Sequence, residues 1–185
     1  MRILDGATRA GCIALLLVAM GPSLARGQGL RVGAGAFGGV AIPAGSTGQS
    51  YDTGGIAGVG AAIARRGSSP GFRAEASYVR LSSPEYTGVV FPAVKIIAVL
   101  GSVTYPLRDA VVGPYLLAGA GVAFSHHKLS YDEYRGSFAG QLGAGARLGR
   151  SGAAPFVELR YVRASTPVAA TAYLALTAGF SVGRY

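Results

Sequence analysis

The feature that most constrains this chain is an alternation of apolar and polar residues, repeated in eight segments from residue 29 to the C-terminus. Between Phe72 and Tyr78, for example, Phe, Ala, Ala and Tyr alternate with Arg, Glu and Ser. Side chains alternate between the two faces of a β-strand, so such a segment predicts a strand with one apolar and one polar face. The segments between them are rich in Gly, Pro, Ser and Asp, which favour turns. The predicted strands are residues 29–42, 54–66, 71–82, 89–106, 113–127, 137–149, 154–164 and 171–184.

The N-terminal 25 residues differ from the rest of the chain and are typical of a secretory signal peptide. Arg2 and Arg9 give a positively charged N-terminal region before an apolar run at residues 12–20, and Ser23-Leu24-Ala25 supplies a small-x-small cleavage pattern. The run is too short for a transmembrane helix, which needs about 20 residues. The sequence therefore predicts a signal peptide at 1–25, with cleavage after Gly27 as the nearby alternative, and one β-barrel domain at 26–185.

Composition narrows the class of protein further. Half of the residues are hydrophobic, 14% are charged and the formal net charge is +9, which favours an anionic partner such as phospholipid, lipopolysaccharide or nucleic acid. The arginines are scattered rather than clustered on an aromatic-lined face, so no nucleic-acid partner is expected. The single cysteine, Cys12, lies in the predicted leader, so no disulfide is expected after cleavage. After residue 25, no segment repeats apolar residues with helical spacing and caps, so no helix is predicted there.

The polar faces predict what the strands enclose. Strands that cross hydrocarbon must close into a barrel to satisfy their backbone groups, and eight strands leave an interior that side chains just fill. We expect the apolar faces to meet lipid and the polar faces to form a paired charge network that plugs the lumen. Arginine exceeds glutamate in this set, so water or anions are expected to supply part of the balance. The predicted network is Arg31, Arg73, Glu75, Gln141, Arg147, Glu158 and Arg160.

Tyrosines predict the membrane boundaries, because their rings are apolar while their hydroxyls stay wet. With the first strand rising from the periplasm, two tyrosines fall near the periplasmic rim and four near the outer rim. The predicted aromatic girdle is Tyr51, Tyr78, Tyr105, Tyr115, Tyr161 and Tyr173.

Three segments carry a resemblance to a known family: residues 113–123 (GPYLLAGAGVA), 140–147 (GQLGAGAR) and 156–161 (FVELRY). They resemble small outer-membrane β-barrel proteins of the OmpA transmembrane-domain, OmpX and opacity-protein type. The resemblance implies an integral protein of the cell outer membrane, exported by a cleaved signal peptide and delivered by periplasmic chaperones to the barrel-assembly machinery. It implies a structural or surface-interaction role, with outer-membrane lipid and lipopolysaccharide as partners, and we expect a monomer.

Family members usually end in an aromatic residue preceded by apolar residues at alternate positions. Here Tyr185 is preceded by Gly183 and Ser181, so the segment either contains a bulge or carries a degenerate insertion signal.

Candidate chemistry is sparse. The Gly33–Gly38 segment matches G-x-G-x-x-G, but it lies in a predicted strand with no helix after it. We therefore interpret its glycines as small residues that fit a narrow barrel, and not as a nucleotide site. An outer-rim cluster comprises Ser125, His126, His127, Asp132 and Glu133. Adjacent residues of a strand point to opposite faces, which disfavours a shared metal ion. No cofactor, metal or catalytic residue is expected.

Two other functions stay open at the level of sequence. A soluble, lipocalin-like carrier of small ligands is also an eight-stranded barrel, but with apolar residues inside. A lipid A-modifying hydrolase of the outer membrane would use Ser, His and an acid at the outer rim. The sequence is similar to an eight-stranded lipid A deacylase in architecture and residue types, but it lacks that family's His-x-Ser spacing.

Overall fold

The computed structural model describes residues 30–65, 70–82, 85–86, 89–90, 93–108, 112–126, 134–149, 153–165 and 170–183. The predicted signal peptide lies outside these ranges, as does the C-terminal Tyr185. Eight long strands and one hairpin of two short strands, each two residues long, make up nearly all of the described chain. Their bounds are β1 Leu30–Ala44, β2 Asp52–Arg65, β3 Gly71–Ser82, β4 Glu85–Tyr86, β5 Val89–Val90, β6 Val94–Pro106, β7 Val112–His126, β8 Tyr134–Leu148, β9 Ala153–Ser165 and β10 Ala170–Gly183.

The eight long strands form a closed antiparallel barrel in the order β1-β10-β9-β8-β7-β6-β3-β2, which confirms the predicted fold class. Closure is made by β1 and β10, which pair from Gly33 with Gly183 to Ala44 with Ala172. The predicted fourth strand began at residue 89, whereas the barrel strand β6 begins at Val94, because Val89 and Val90 pair with β4 in a separate hairpin.

The register defines how the barrel is staggered. A row of paired residues that starts at Arg163 on β9 passes through each strand in turn and returns to the same strand at Ala153. The offset of ten residues (163 − 153) is the shear of the barrel. A staggered barrel of this kind has strands tilted by roughly 35–45° from its axis. Leu30 and Gly183 lie at one end, here the terminal end; the connections after β1, β3, β7 and β9 lie at the other, the loop end.

A short 3-10 helix, Gly45–Gln49, follows β1 at the loop end and corrects the prediction that this region contains no helix. It begins where Gly45 adopts a left-handed φ of 60°, a conformation that glycine adopts without steric penalty. The Thr47 hydroxyl accepts a hydrogen bond from the Ala172 backbone N–H at 2.9 Å and donates one to the Ala170 carbonyl at 3.4 Å. These bonds tie the β1–β2 connection to the start of β10. Across the described ranges, no helix has the length and hydropathy of a membrane span.

The outer wall is apolar on all eight strands. Phe72, Phe138 and Phe180 are each more than 60% exposed, and outward-facing Val, Ile and Leu side chains surround them. Soluble monomers rarely expose apolar patches of more than a few hundred Å². The orientation of these faces agrees with the predicted alternation, with apolar residues outside and the charged pairs of β3 and β9 inside.

The interior is divided into two layers. Near the loop end it is filled by a cluster of buried apolar side chains, named here the apolar layer. Toward the terminal end, charged and amide side chains take over. The apolar layer contains Ala41, Ile56, Val79, Leu81, Val94, Ile96, Ala98, Ala123, Ala139, Val162, Ala164, Tyr173 and Ala175.

Candidate functional site

Four charged residues form a closed cycle of ion pairs inside the barrel, named here the lumenal cycle: Arg73, Glu75, Arg160 and Glu158. Arg73 Nη2 lies 2.7 Å from Glu75 Oε2, and Arg160 Nε lies 3.4 Å from Glu158 Oε2. The other two pairs join Arg73 Nη1 to Glu158 Oε1 and Arg160 Nη1 to Glu75 Oε1. Each charge therefore has two partners of opposite sign, and the cycle is neutral.

The cycle follows from the sequence of two strands. On β3 the order is Arg73-Ala74-Glu75, and on β9 it is Glu158-Leu159-Arg160, so the two cycle residues of each strand share its inward face. Strands β3 and β9 are four places apart in a ring of eight and therefore lie opposite each other. Both run from the terminal end to the loop end, so the reversed order of signs sets each arginine opposite a glutamate.

Side chains from the strands between β3 and β9 add hydrogen bonds to one oxygen of each carboxylate. Tyr115 on β7 donates a hydrogen bond to Glu158 Oε1 at 2.5 Å. Gln141 on β8 donates to Glu75 Oε1 at 3.2 Å and to the Ser102 hydroxyl of β6 at 2.7 Å. Buried charges are tolerated when they are paired and hydrogen-bonded. Both glutamates are hydrogen-bonded at Oε1, whereas their Oε2 atoms are held by ion pairs alone.

Two aromatic rings line the lumen at the height of the lumenal cycle. The guanidinium carbon of Arg160 lies 4.6 Å from the centre of the Phe37 ring on β1. Arg73 lies 5.7 Å from the rings of both Phe37 and Phe156. The negative face of an aromatic ring attracts a guanidinium, so these contacts add to the ion pairs. Side chains from six strands thus bridge the lumen at one level.

The predicted charge network divides into a joined and a separate part. The structure brings together Arg73, Glu75, Gln141, Glu158 and Arg160. Arg31 and Arg147 lie on the inward faces of β1 and β8, each with interactions of its own. The predicted network has more arginine than glutamate, but the cycle itself contains two of each and is neutral. The excess of arginine comes from Arg31 and Arg147.

The predicted aromatic girdle requires correction at three positions. Tyr78, Tyr105 and Tyr161 are exposed on the outer wall. Tyr115 instead points inward to Glu158, and Tyr173 is 1% exposed within the apolar layer. Both have the parity of the inward face, which decides their direction whatever their level along the strand.

Tyr51 is the third exception. It is half-buried and packs against the apolar layer at the loop end, where burial raises the pKa of its hydroxyl. It therefore covers the mouth of the lumen rather than the outer wall.

The outer-rim cluster is not assembled as an active site among the described residues. Ser125 is buried on the inward face of β7, whereas His126 is the next residue and belongs to the outward face. His127, Asp132 and Glu133 lie outside the described residues. Within the described part of the chain, no three His, Cys, Asp or Glu side chains are grouped closely enough to hold a metal ion. The Gly33–Gly38 segment lies within β1, as expected for a structural glycine pattern.

Several contributors to the site were not predicted from the sequence: Tyr115, Ser102, and the rings of Phe37 and Phe156. Tyr115 carried a usable signal, because it has the opposite parity to Leu116 and therefore faces inward whenever Leu116 faces lipid. Phe156 carried one too, because it shares the parity of Glu158 and Arg160 on β9. Ser102 and Phe37 sit on inward faces made mostly of small and apolar residues, and only the closed register identifies their neighbours.

Comparison with known proteins shows the fold. No family model and no curated protein matches the chain. The crystal structure of Neisserial surface protein A (NspA) superposes with a TM-score of 0.60 at 17% identity, over 84% of this chain and 97% of that one. The outer membrane protein OprG from Pseudomonas aeruginosa superposes with a TM-score of 0.53 at 13% identity, over 85% and 97% of the two chains. At these identities the likeness establishes a shared barrel fold, which spans nearly the whole length of the two solved structures.

Proposed function

We propose that the chain is an integral protein of the outer membrane, with a structural or surface-interaction role and a lumen plugged by its own side chains. The observation that carries this proposal is the pairing of an apolar outer wall on all eight strands with a charged, mutually neutralised interior. A soluble carrier would show the reverse arrangement, because water would face the outside of its barrel. The fold shared with the outer membrane protein OprG supports the same location.

Export and assembly complete the proposal. The leader at residues 1–25 would direct secretion, and periplasmic chaperones and the barrel-assembly machinery would then deliver the barrel domain at 26–185. Within outer-membrane barrels, the three resembling segments favour the OmpA transmembrane-domain, OmpX and opacity-protein type. We propose a monomer, because the barrel closes on itself and its outer wall is complementary to lipid.

The site favours a non-catalytic role. Ser125 and His126 lie on opposite faces of β7, so this serine and this histidine cannot share a substrate as nucleophile and base. The lumenal cycle is buried and its charges are already paired, which suits a structural function. The partners we propose are therefore the lipids around the wall, including lipopolysaccharide, together with molecules met by the loop end.

Membrane fractionation combined with heat-modifiable gel mobility tests the proposal. The protein is expected in the outer-membrane fraction, with a compact band in unheated samples that shifts on boiling. As a control, Gly39→Val places a side chain against the Leu176 carbonyl of β10, and it should abolish the compact band by blocking closure. Recovery of the wild-type chain in the soluble periplasmic fraction, with no folded band in detergent, would support the carrier instead.

A further inference from the structure

Three basic side chains form one row on the outer wall at the loop end. Arg80 on β3 pairs directly with Lys95 on β6, and Lys95 pairs directly with His126 on β7. All three face outward, because the residues adjacent to them along each strand, such as Val79 and Ser125, are buried inside. This group is named here the basic row.

The basic row lies where the apolar wall ends. Two residues nearer the middle of each strand, the next outward row consists of Tyr78, Ile97 and Phe124, also paired with one another. These three side chains are 39–42% exposed and belong to the apolar band. Each strand of this sector thus changes from an apolar to a basic side chain in one step, as it would at the boundary between acyl chains and headgroups.

The arrangement has an electrostatic cost that an anion would offset. Directly opposed residues in a sheet have Cβ atoms about 4.5–5.5 Å apart, and like charges at that distance destabilise the sheet. Among the carboxylates that the structure describes, Glu75 and Glu158 are enclosed in the lumenal cycle and are not available on the outer wall. Asp52, which is exposed at the start of β2, lies opposite Ser82 in the strand register rather than opposite Arg80. Glu85 belongs to the β4–β5 hairpin, beyond the end of β3.

We propose that the basic row binds the phosphomonoester headgroup of a membrane lipid, whose acyl chains lie along Tyr78, Ile97 and Phe124. Arginine and lysine both donate charge-assisted hydrogen bonds to phosphate oxygens. A free phosphate ion would use the basic row alone, whereas a lipid uses the apolar row below it as well. His126 also makes interactions within the chain, so the binding energy is assigned chiefly to Arg80 and Lys95. This inference rests on the proposed function, since it requires the loop end to stand at headgroup level.

Lipid titration with a charge-matched control tests the assignment. The folded protein in a neutral detergent is titrated with phosphatidic acid and, separately, with phosphatidylcholine of the same acyl chains, and bound lipids are counted by native mass spectrometry. The test variant is Arg80→Gln/Lys95→Gln. The control is Arg65→Gln/Arg108→Gln, which removes two exposed charges at the terminal end. Inorganic phosphate is added as a competitor to distinguish an ion site from a lipid site.

We expect the wild-type protein and the control to bind phosphatidic acid about tenfold more tightly than phosphatidylcholine, and the test variant to lose that preference. Inorganic phosphate should displace the lipid only at large excess. An unchanged preference in the test variant, an equal loss in the control, or easy displacement by inorganic phosphate would overturn the assignment. Each variant is first checked for the compact gel band. A chain that never inserts contradicts the proposed function, whereas an inserted barrel with no headgroup preference contradicts only this inference.

Discussion

Arg73 and Glu158 form an ion pair across the full width of the barrel, because their strands, β3 and β9, lie opposite each other in the ring. Each also pairs with a second residue of the lumenal cycle, so the contact joins two walls that share no backbone hydrogen bonds. The cycle therefore acts as a brace inside the barrel. Removal of one charge would leave the others buried with incomplete compensation.

This arrangement predicts a large loss of stability in Glu158→Gln. Loss of one member of a buried ion pair typically costs about 3–5 kcal/mol, and here Arg73, Arg160 and Tyr115 all lose a charged partner. Urea unfolding in lipid vesicles, followed by far-UV circular dichroism, would measure the change.

Two further variants make that measurement specific. Arg163→Gln on the outward face of β9 should change stability by less than about 0.5 kcal/mol. Arg73→Gln/Glu158→Gln should cost less than the sum of its two single substitutions, since it removes a neutral pair. Strict additivity would contradict the cycle.

Gly145 predicts a packing effect beside the cycle. A Cβ atom at this position would lie 2.7 Å from the Tyr115 hydroxyl and 2.8 Å from Glu158 Cγ. Gly145→Ala should therefore displace Tyr115 from Glu158 and destabilise the barrel by about 1–3 kcal/mol. Gly101→Ala is the matched control, because its Cβ would face outward and approach nothing closer than 3.8 Å. Equal unfolding midpoints for the two variants would argue against close packing at Gly145.

The two-layer interior predicts that the barrel does not conduct ions. Glu75→Ala/Arg160→Ala removes one pair of the cycle without changing net charge, and Leu81→Ala/Tyr173→Ala thins the apolar layer. Because either layer alone should still exclude ions, we expect no steady conductance from the wild type or from either double variant in planar bilayers. The quadruple variant should open a small ohmic leak. A steady conductance in the wild type would contradict a plugged lumen, and one in the Glu75→Ala/Arg160→Ala variant would show that the apolar layer does not seal.

The apolar outer wall predicts a dependence on depth in the bilayer. Leu159 is exposed near the middle of β9, and Leu159→Arg should cost about 2–4 kcal/mol in lipid. Ser165→Arg, at the loop end of the same strand, should cost about 0–1 kcal/mol. Folding free energies from urea titrations in vesicles would compare them. Similar small effects at both positions would indicate that β9 does not face hydrocarbon.

Much of the fold could be predicted because the middle of some strands carries charges on one face only. Arg73 and Glu75 share a parity in β3, as do Glu158 and Arg160 in β9, so the alternation predicts that these side chains enter the lumen. Arg80 and Arg163, nearer the loop end of the same strands, have the opposite parity and face outward. In β6, by contrast, Ile96 and Ile97 are equally apolar although one faces inward and the other outward. The sequence of such a strand does not indicate its inward face, and the apolar layer was therefore not anticipated.

The candidate site could be predicted in part for the same reason. Parity assigned Glu75 and Arg160 to the interior, but their pairing depends on barrel closure and on the stagger of the strands, which no single segment encodes. The inward direction of Tyr173 is also encoded in the sequence, because Leu174 and Leu176 face lipid and the tyrosine has the opposite parity. The basic row on the outer wall was likewise missed, since it becomes a row only through pairing across three strands.

The most direct test of the account is whether the outward side chains touch acyl chains. The chain contains no tryptophan, so a single introduced tryptophan reports on one position without background. Leu176→Trp places the probe on the outer wall of β10, and Tyr173→Trp places it in the lumen on the same strand. In vesicles of phosphatidylcholine brominated on its acyl chains, we predict strong fluorescence quenching at position 176 and little at position 173. Strong quenching at 173 with none at 176 would contradict the central claim.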